Sequence, residues 1–248
     1  VIGHRQVHEK KIMKTAAFVI PVFNPPDDWQ ELLAEQLSLC HPTRALKIVA
    51  VDDGSSKTVD VERLSGLLPG AEVNLVRLER NMGKGAAVRY GLSVLPPADY
   101  YFYTDADFPY RPADVAAMMR VLDAGADVAP GMRDNTYFDH IPPMRKYISR
   151  ILSKMIKLLV KIPFTDTQCG LKGFNENGRR LLLKTRVKRF LFDVEFIYLA
   201  YHTPGTKVVP VPVIMRSGIN VSSVGAGGML RELGNFLKIL YRVYFRGW

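Results

Sequence analysis

"DYYFYTDADFPYR", residues 99–111, runs from an aromatic, apolar stretch straight into two carboxylates one residue apart. The apolar part, 99–104, reads as a buried strand, so Asp105 and Asp107 stand at a strand end. Like charges that close raise one another's pKa unless a cation sits between them. On an extended segment residues i and i+2 point to the same side, so both carboxylates can face one ion. Mg²⁺ and Mn²⁺ are commonly held by one or two protein carboxylates, with substrate phosphates and water completing the shell. The pair is therefore either a solvated acidic turn or a metal site, and the flanking sequence has to decide.

Outward from that stretch, short apolar runs alternate with helical periodicity. "TAAFVIPVFN" (15–24), "LKIVAV" (46–51), "EVNLVRLE" (72–79) and "ADVAPGMR" (126–133) are β-branched runs that read as strands. Between them, "DDWQELLAEQLSLC" has helical spacing through Trp29, Leu32, Leu33, Gln36, Leu37 and Cys40, with Asp27 or Asp28 as N-cap. "TVDVERLSGLL", "NMGKGAAVRYGLSVL" and "PADVAAMMRVLDAG" supply further helices. This alternation predicts an α/β fold with a mostly parallel sheet flanked by helices. In such sheets ligands gather at the carboxyl ends of strands. "VDDGS", "NMGKG" and "TDADF" all fall at such ends, which puts three polar loops on one edge.

Two of these loops have their own chemistry. In "VDDGSS" (51–56), Asp52 and Asp53 sit at the sheet rim and Gly54 permits a tight turn. An acid there can bond a ribose hydroxyl or a base N–H, or simply cap a helix. "NMGKG" (81–85) opens a helix, where backbone N–H groups and the dipole favour an anion, and Lys84 adds a full charge. It is not a P-loop, and bare helix capping is the competing reading.

The second half is less regular. "MRKYISRILSKMIKLLVKI" (144–162) predicts a long amphipathic helix. Arg150, Lys154, Lys157 and Lys161 form one face; Ile148, Ile151, Leu152, Met155, Leu158, Leu159 and Ile162 form the other. Such a helix suits an anionic membrane surface, and equally a core stripe with a solvated face. "GFNENGRRLLLKT" and "FDVEFIYLAYH" read as helices, and "KVVPVPVIM" (207–215) as a proline-interrupted strand at a sheet edge. "MLRELGNFLKILYRVYFRGW" closes the chain as a basic, aromatic helix.

The bulk numbers set limits. The 248 residues, 48% of them apolar, can bury a sizeable core. Two cysteines fit a reducing compartment rather than a disulfide framework. The 34 Lys+Arg against 24 Asp+Glu give a net charge of +10 and imply an anionic partner. Neither paired zinc ligands nor an RNP-type aromatic strand is present, so phosphates and lipids are expected rather than nucleic acid. No apolar run reaches the ~18 residues of a membrane span. Residues 1–12 are expected to be a tail or an appended scar, and 13–248 a single catalytic domain with amphipathic helices at its C-terminal end.

Taken together, the three loops resemble those of family 2 glycosyltransferases of GT-A fold, over about residues 15–244. "VIPVFN" is similar to that family's opening strand, "VDDGS" to its nucleotide-binding turn and "DAD" to its metal-binding triplet. "DTQCGLKGF" (166–174) and "RFLFDVEFIYLA" (189–200) resemble the polyprenyl-phosphate group, the dolichyl-phosphate glucosyltransferases and mannose synthases. The resemblance implies roles by position. Pro21, Asn24 and Asp53 would line the nucleotide, with Lys84 close by. Asp105 and Asp107 would hold Mg²⁺ or Mn²⁺. Arg133 and Arg145 would face the donor and acceptor phosphates, Asp166 and Gln168 would lie near the acceptor, and Arg216 and Ser217 would belong to an acceptor loop. Pro25 and Pro109 stand where the family often has an acid and a Gln.

The expected reaction is inverting, metal-dependent transfer of a hexose from a UDP- or GDP-sugar to a polyprenyl phosphate. A lipid phosphate is already anionic and needs no general base; a sugar hydroxyl would need one. Asp166 leads the candidates for that base, with Asp193 and Glu195 behind it. Transfer to a carbohydrate hydroxyl in polysaccharide assembly is the alternative, and a non-catalytic binder of anionic lipid or polysaccharide is the alternative of another class. Relatives often continue into transmembrane helices; this chain stops at Trp248, so a peripheral enzyme at the cytoplasmic membrane face, or a shortened chain, is expected. No oligomeric state is specified.

Overall fold

The computed structural model describes residues 14–40, 45–133, 153–163, 166–216 and 226–246. In chain order the elements are β1 (Thr15–Val22), α1 (Trp29–Ser38), β2 (Ala45–Asp52), α2 (Glu62–Leu67), β3 (Glu72–Arg77), α3 (Lys84–Val94), β4 (Tyr100–Tyr103), α4 (Pro112–Asp123) and β5 (Val128–Arg133). There follow α5 (153–160), β6 (Lys172–Phe174), α6 (Glu176–Leu183), α7 (Phe192–His202), β7 (Val211–Val213) and α8 (Ala226–Tyr241), which runs into a π-helical turn, Arg242–Arg246.

The seven strands form one sheet in the order β3-β2-β1-β4-β6-β5-β7. β3, β2, β1 and β4 are mutually parallel, and β5 and β7 share their direction. Only β6 runs the other way, antiparallel to both β4 and β5. The chain leaves β1 toward β2 and β3, then returns to place β4 on the opposite side of β1. That reversal is a topological switch point, where open α/β sheets form their ligand crevice.

The central strands are hydrophobic on both faces because helices cover both. Phe18, Ile20, Ile48 and Phe102 pack with Leu33 and Leu37 of α1 and Met118 of α4. Ala17, Val19, Val51, Tyr101 and Tyr103 pack on the other face with Val88 and Leu92 of α3 and Phe192 and Phe196 of α7. α8 joins that second layer through Phe236 and Ile239, both buried.

Several expectations are adjusted. Asp28 takes the N-cap position of α1, but its side chain makes no cap hydrogen bond. α2 is shorter than "TVDVERLSGLL", because the polar start of that stretch stays irregular. β7 is an edge strand as expected, whereas β6 has no counterpart in the sequence reading. The apolar face assigned to 144–162 is partly wrong over its described portion: α5 buries Ile156 and Val160, while Met155 is 36% and Leu158 76% exposed. Apolar residues flank the lysines on both sides of this helix, and the core needs only one flank. Lys154, Lys157 and Lys161 are exposed as expected. Arg145, Ile148, Arg150, Ile151, Leu152 and Ser217 lie outside the described residues.

Candidate active site

The carboxylate pair follows β4 directly. Tyr100–Tyr103 and Thr104 are buried, and Asp105, Ala106 and Asp107 emerge half-buried. They form a turn rather than an extended segment, closed by Phe108 N–H donating to the Asp105 carbonyl at 3.0 Å. Phe108, fully buried at φ 38°, drags the chain back into the core, a pull the acidic spacing alone does not reveal. The two acids remain electrostatic neighbours. Burial, and then the Asp105 charge, push the Asp107 carboxyl up to about 6, against the opposing effect of its own backbone N–H, Lys84 and Arg216. Asp105 Oδ1 accepts from Lys84 Nζ at 2.6 Å.

Lys84 opens α3, and the loop before it is held by Asp53, whose carboxylate accepts from Met82 N at 2.6 Å and Gly83 N at 2.8 Å. Each oxygen of Asp53 thus holds one backbone N–H of the "NMGKG" loop, which ties the β2 loop to the start of α3. Burial raises its pKa in spite of those two N–H groups. Its neighbour Asp52 differs. Oδ1 accepts from Ser55 N at 2.8 Å, whereas Oδ2, fully buried, makes no hydrogen bond among the described residues and has only Arg77 Nη1 at 3.6 Å. A buried carboxylate oxygen without a donor is costly, and a ligand N–H or hydroxyl would relieve it.

Asn24, at φ 46°, ties the β1 loop to the β2 loop: its Oδ1 accepts from Ser56 N at 2.8 Å, and its backbone N–H donates to Ser55 Oγ at 2.9 Å. Beside this tie lies a cavity of about 310 Å³ lined by Asn24, Pro25, Trp29, Gln30, Ser55 and Thr58 among others. Its lining includes none of Lys84, Asp105 and Asp107. Pro21 lies within β1, paired in register with Val51.

The other side of the crevice is built by β5, β6 and the segments entering them. Because β6 is antiparallel to β4, its beginning sits beside the carboxyl end of β4. There Gly170 N–H donates to Tyr110 Oη at 2.8 Å, and a Cβ built on Gly170 would lie 2.2 Å from Asp105 Oδ2. Arg133, at the end of β5, grips Asp166 through Nε and Nη2, each at 2.7 Å, and through its backbone N–H at 3.0 Å. Burial alone would push the Asp166 carboxyl up; the Arg133 guanidinium holds it below the ordinary range. Gln168 is half-buried next to this pair. Arg216 donates from its backbone to the Pro109 carbonyl at 2.9 Å and from Nη1 to the Phe108 carbonyl at 3.3 Å, which brings it onto the carboxylate loop.

Beneath the crevice Asp193 and Glu195, candidate bases in the sequence, are buried, and with Asp193 lies a lysine that sequence reasoning missed. Lys172 is fully buried, 3.0 Å from Asp193, which also accepts from Tyr103 Oη. Glu195, equally buried, accepts from Arg242 Nη1 at 2.8 Å and from the backbone N–H groups of Arg186 and Val187. A lysine inside the short apolar run "GLKGF" was the one available signal for Lys172.

Comparison with known proteins fits this arrangement. The model of "Glycosyl transferase family 2" matches residues 17–180. This chain is a family 2 glycosyltransferase. Among its relatives is the undecaprenyl-phosphate 4-deoxy-4-formamido-L-arabinose transferase of Edwardsiella ictaluri, 25% identical over 82% of this chain and 60% of the relative. Another is the dolichyl-phosphate beta-glucosyltransferase of Drosophila melanogaster, 34% identical over 73% of this chain and 61% of the relative. The glycosyltransferase thus spans about 60% of the length of these two relatives. Among solved structures, glucosyl-3-phosphoglycerate synthase from Mycobacterium tuberculosis with UDP superposes at a TM-score of 0.65, covering 93% of this chain and 80% of that one at 17% identity. The same enzyme with Mn²⁺, UDP-glucose and phosphoglyceric acid gives a TM-score of 0.60, at 16% identity, 93% coverage of this chain and 77% of that one. The fold is GT-A.

A divalent cation fits the glycosyltransferase's own donor set. Asp105 and Asp107 are half-buried, mutually repelling carboxylates whose charge a cation would neutralise. No cluster of three or more His, Cys, Asp or Glu able to hold a metal exists among the described residues. Such a partial shell suits Mg²⁺ or Mn²⁺, which retain water and substrate phosphate oxygens, and does not suit a closed structural site.

Proposed function

We propose that this chain transfers a hexose, with inversion, from a UDP- or GDP-sugar to a polyprenyl phosphate at the cytoplasmic face of a membrane. One observation carries the choice of acceptor: each candidate base for activating a sugar hydroxyl is already committed. Asp166 is locked bidentately by Arg133, Asp193 lies against Lys172 and Tyr103, and Glu195 is capped by two backbone N–H groups and Arg242. A carboxylate held by a guanidinium, with its pKa depressed, is a weak proton acceptor. A phosphate nucleophile needs none, which agrees with the polyprenyl-phosphate transferases among the relatives.

On this reading Asp105 and Asp107 hold Mg²⁺ or Mn²⁺, which when bound acts as a Lewis acid on the leaving diphosphate. Asn24, Pro21 and the β2 loop, with Asp53, line the nucleotide, and Asp52 Oδ2 offers a buried acceptor for it. Arg133 and Arg216, with Arg145, Ser217 and Gln168, supply the acceptor side. Fixed guanidinium charge in a site sheltered from water stabilises a phosphate more than it would in bulk solvent. The catalytic domain is taken to be 13–248.

The membrane surface is supported by one patch. Tyr244 Oη donates to the Leu159 carbonyl at 2.7 Å, which joins the chain's end to α5. On the two segments so joined Leu158, Leu237, Tyr241 and Phe245 are 76%, 58%, 53% and 78% exposed, Lys154, Lys157, Lys161 and Lys238 are exposed as well, and Lys161 lies over the Tyr244 ring. Apolar and aromatic side chains together with lysines suit an anionic lipid interface. Among the described residues no helix is long and apolar enough to cross a membrane.

The test is transfer of labelled sugar from UDP- and GDP-hexoses to a short-chain polyprenyl phosphate in detergent with Mn²⁺ or Mg²⁺. Lipid-linked sugar from one donor is expected. No lipid product with any donor, alongside transfer to a saccharide, would assign the hydroxyl-acceptor chemistry instead; absence of nucleotide binding would leave a non-catalytic binder.

A further inference from the structure

Lys84 occupies an unusual position for a residue expected to meet a diphosphate. Its side chain is only 14% exposed, and its ammonium is on Asp105 Oδ1 at 2.6 Å, not directed at open solvent. Burial opposes that charge, but Asp105, and behind it Asp193, keep the ammonium protonated. The other oxygen of Asp105 faces Gly170. Oδ2 lies so close to the Gly170 backbone that a Cβ there would sit 2.2 Å away. Asp105 is thus paired with a cation on one side, packs against Gly170 on the other, and keeps 41% of its side chain exposed.

We infer that Lys84 is the resident counter-ion of the Asp105–Asp107 pair, and that a divalent cation competes with it for Asp105. An ammonium in contact with Oδ1 repels a dication arriving at the same carboxylate, so the two compete for Asp105 even though its side chain is 41% exposed. Once released, Lys84 has no vacant carboxylate to move to in the layer below, because Asp193 is already engaged by Lys172 and Tyr103. The new negative charge that arrives with the donor is the diphosphate, and α3, which Lys84 begins, presents its N-terminus on that side of the crevice. Lys84 therefore passes from Asp105 to the diphosphate as the cation enters. The device holds the acidic loop together before the donor binds, and it weakens binding of a bare cation relative to a cation accompanied by nucleotide. By linkage, the nucleotide and the cation favour one another through this residue as well as by direct contact.

The inference rests on the reading of Asp105 and Asp107 as cation ligands, and the experiment separates the two. Mn²⁺ binding to the free protein, without nucleotide, is measured by electron paramagnetic resonance for the wild type, Lys84→Met and Lys84→Arg. UDP and GDP binding is measured at saturating Mn²⁺ for the same three. Removing one positive charge from direct contact with the site is expected to tighten Mn²⁺ by about tenfold or more in Lys84→Met. The same variant should bind the nucleoside diphosphate about tenfold more weakly, the loss of one charge-assisted contact. Lys84→Arg keeps the charge and should bind Mn²⁺ as the wild type does. Opposite shifts for metal and nucleotide support the exchange. Unchanged or weaker Mn²⁺ binding in Lys84→Met, with the wild type binding Mn²⁺, overturns the inference and leaves the metal site standing. A wild type that binds no Mn²⁺ with or without nucleotide overturns both. If Lys84→Met does not fold, Lys84→Gln is read by the same criteria.

Discussion

Replacing Gly170 with alanine should disable the site while leaving the fold nearly intact. The added methyl would begin 2.2 Å from Asp105 Oδ2, whereas ordinary contacts start near 3.4 Å, so something must retreat by about an ångström. What retreats is decided by the neighbours. Gly170 is anchored by its N–H on the buried Tyr110 hydroxyl, and the surrounding core is dense. Asp105 is a short side chain on a half-exposed turn, so the carboxylate yields. Displacing a reacting or ligating group by about 1 Å costs on the order of 10²-fold in rate. The strain on the fold stays near the lower end of overpacking, about 1 kcal/mol. Gly173→Ala, three residues along, is the control. Its methyl would meet the buried Phe102 ring at 2.5 Å, far from any ligand, so the fold bears the whole cost, about 1–3 kcal/mol. The assay pairs kcat/KM for sugar transfer with the thermal midpoint of each variant. Gly170→Ala should lose activity with little change in midpoint, and Gly173→Ala the reverse. Transfer by Gly170→Ala within about threefold of wild type would refute the account of Asp105.

Three further outcomes are expected. Because the Asp107 carboxyl is raised to about 6, folding favours its protonated form; in metal-free protein its contribution to stability is present at low pH and lost as pH rises through about 6. Comparing midpoints from pH 4.5 to 7.5 for wild type and Asp107→Asn should show that slope only in the wild type, and Mn²⁺ should abolish it. Asp166→Asn should lower transfer to a phosphate acceptor without changing the shape of the pH–kcat/KM profile, since Asp166 acts on Arg133 and not on a proton; loss of an acidic limb would restore it as a base. Leu158→Ser with Phe245→Ser, both strongly exposed, should leave the thermal midpoint within about 0.5 kcal/mol equivalent and reduce sedimentation with anionic vesicles several-fold.

The parallel half of the sheet was legible because its strands are buried on both faces and so appear as continuous β-branched and aromatic runs broken at polar loops. The three loops could be placed together for the same reason. What escaped was everything set by the face a side chain takes. Asp52 and Asp53 are consecutive, so they diverge, one toward Ser55 and the other toward the "NMGKG" backbone. Which of them is left with a spare oxygen depends on where α3 packs. Asp105 and Asp107 were placed on an extended segment, and the burial of Phe108 bends it into a turn. β6, three residues containing a lysine and a glycine, lacks the alternation that identifies a strand, and its lysine meets Asp193 only once α7 is packed beneath the sheet.

The Arg133–Asp166 pair closes the chain on itself where β5 ends and the approach to β6 begins. Whatever residues 134–165 do in between, they depart from and come back to one spot at the crevice mouth, like a purse gathered by its drawstring. Closing a longer excursion costs entropy that grows only with the logarithm of its length. Chain closure alone therefore penalises a longer excursion little, but α5 lies within it, and Ile156, Val160 and Ile162 are buried there, so those positions have to be kept. On the proposed function, exchanging 134–165 between related chains, with the arginine and aspartate kept at its two ends and those buried residues retained, is expected to change which acceptor is used.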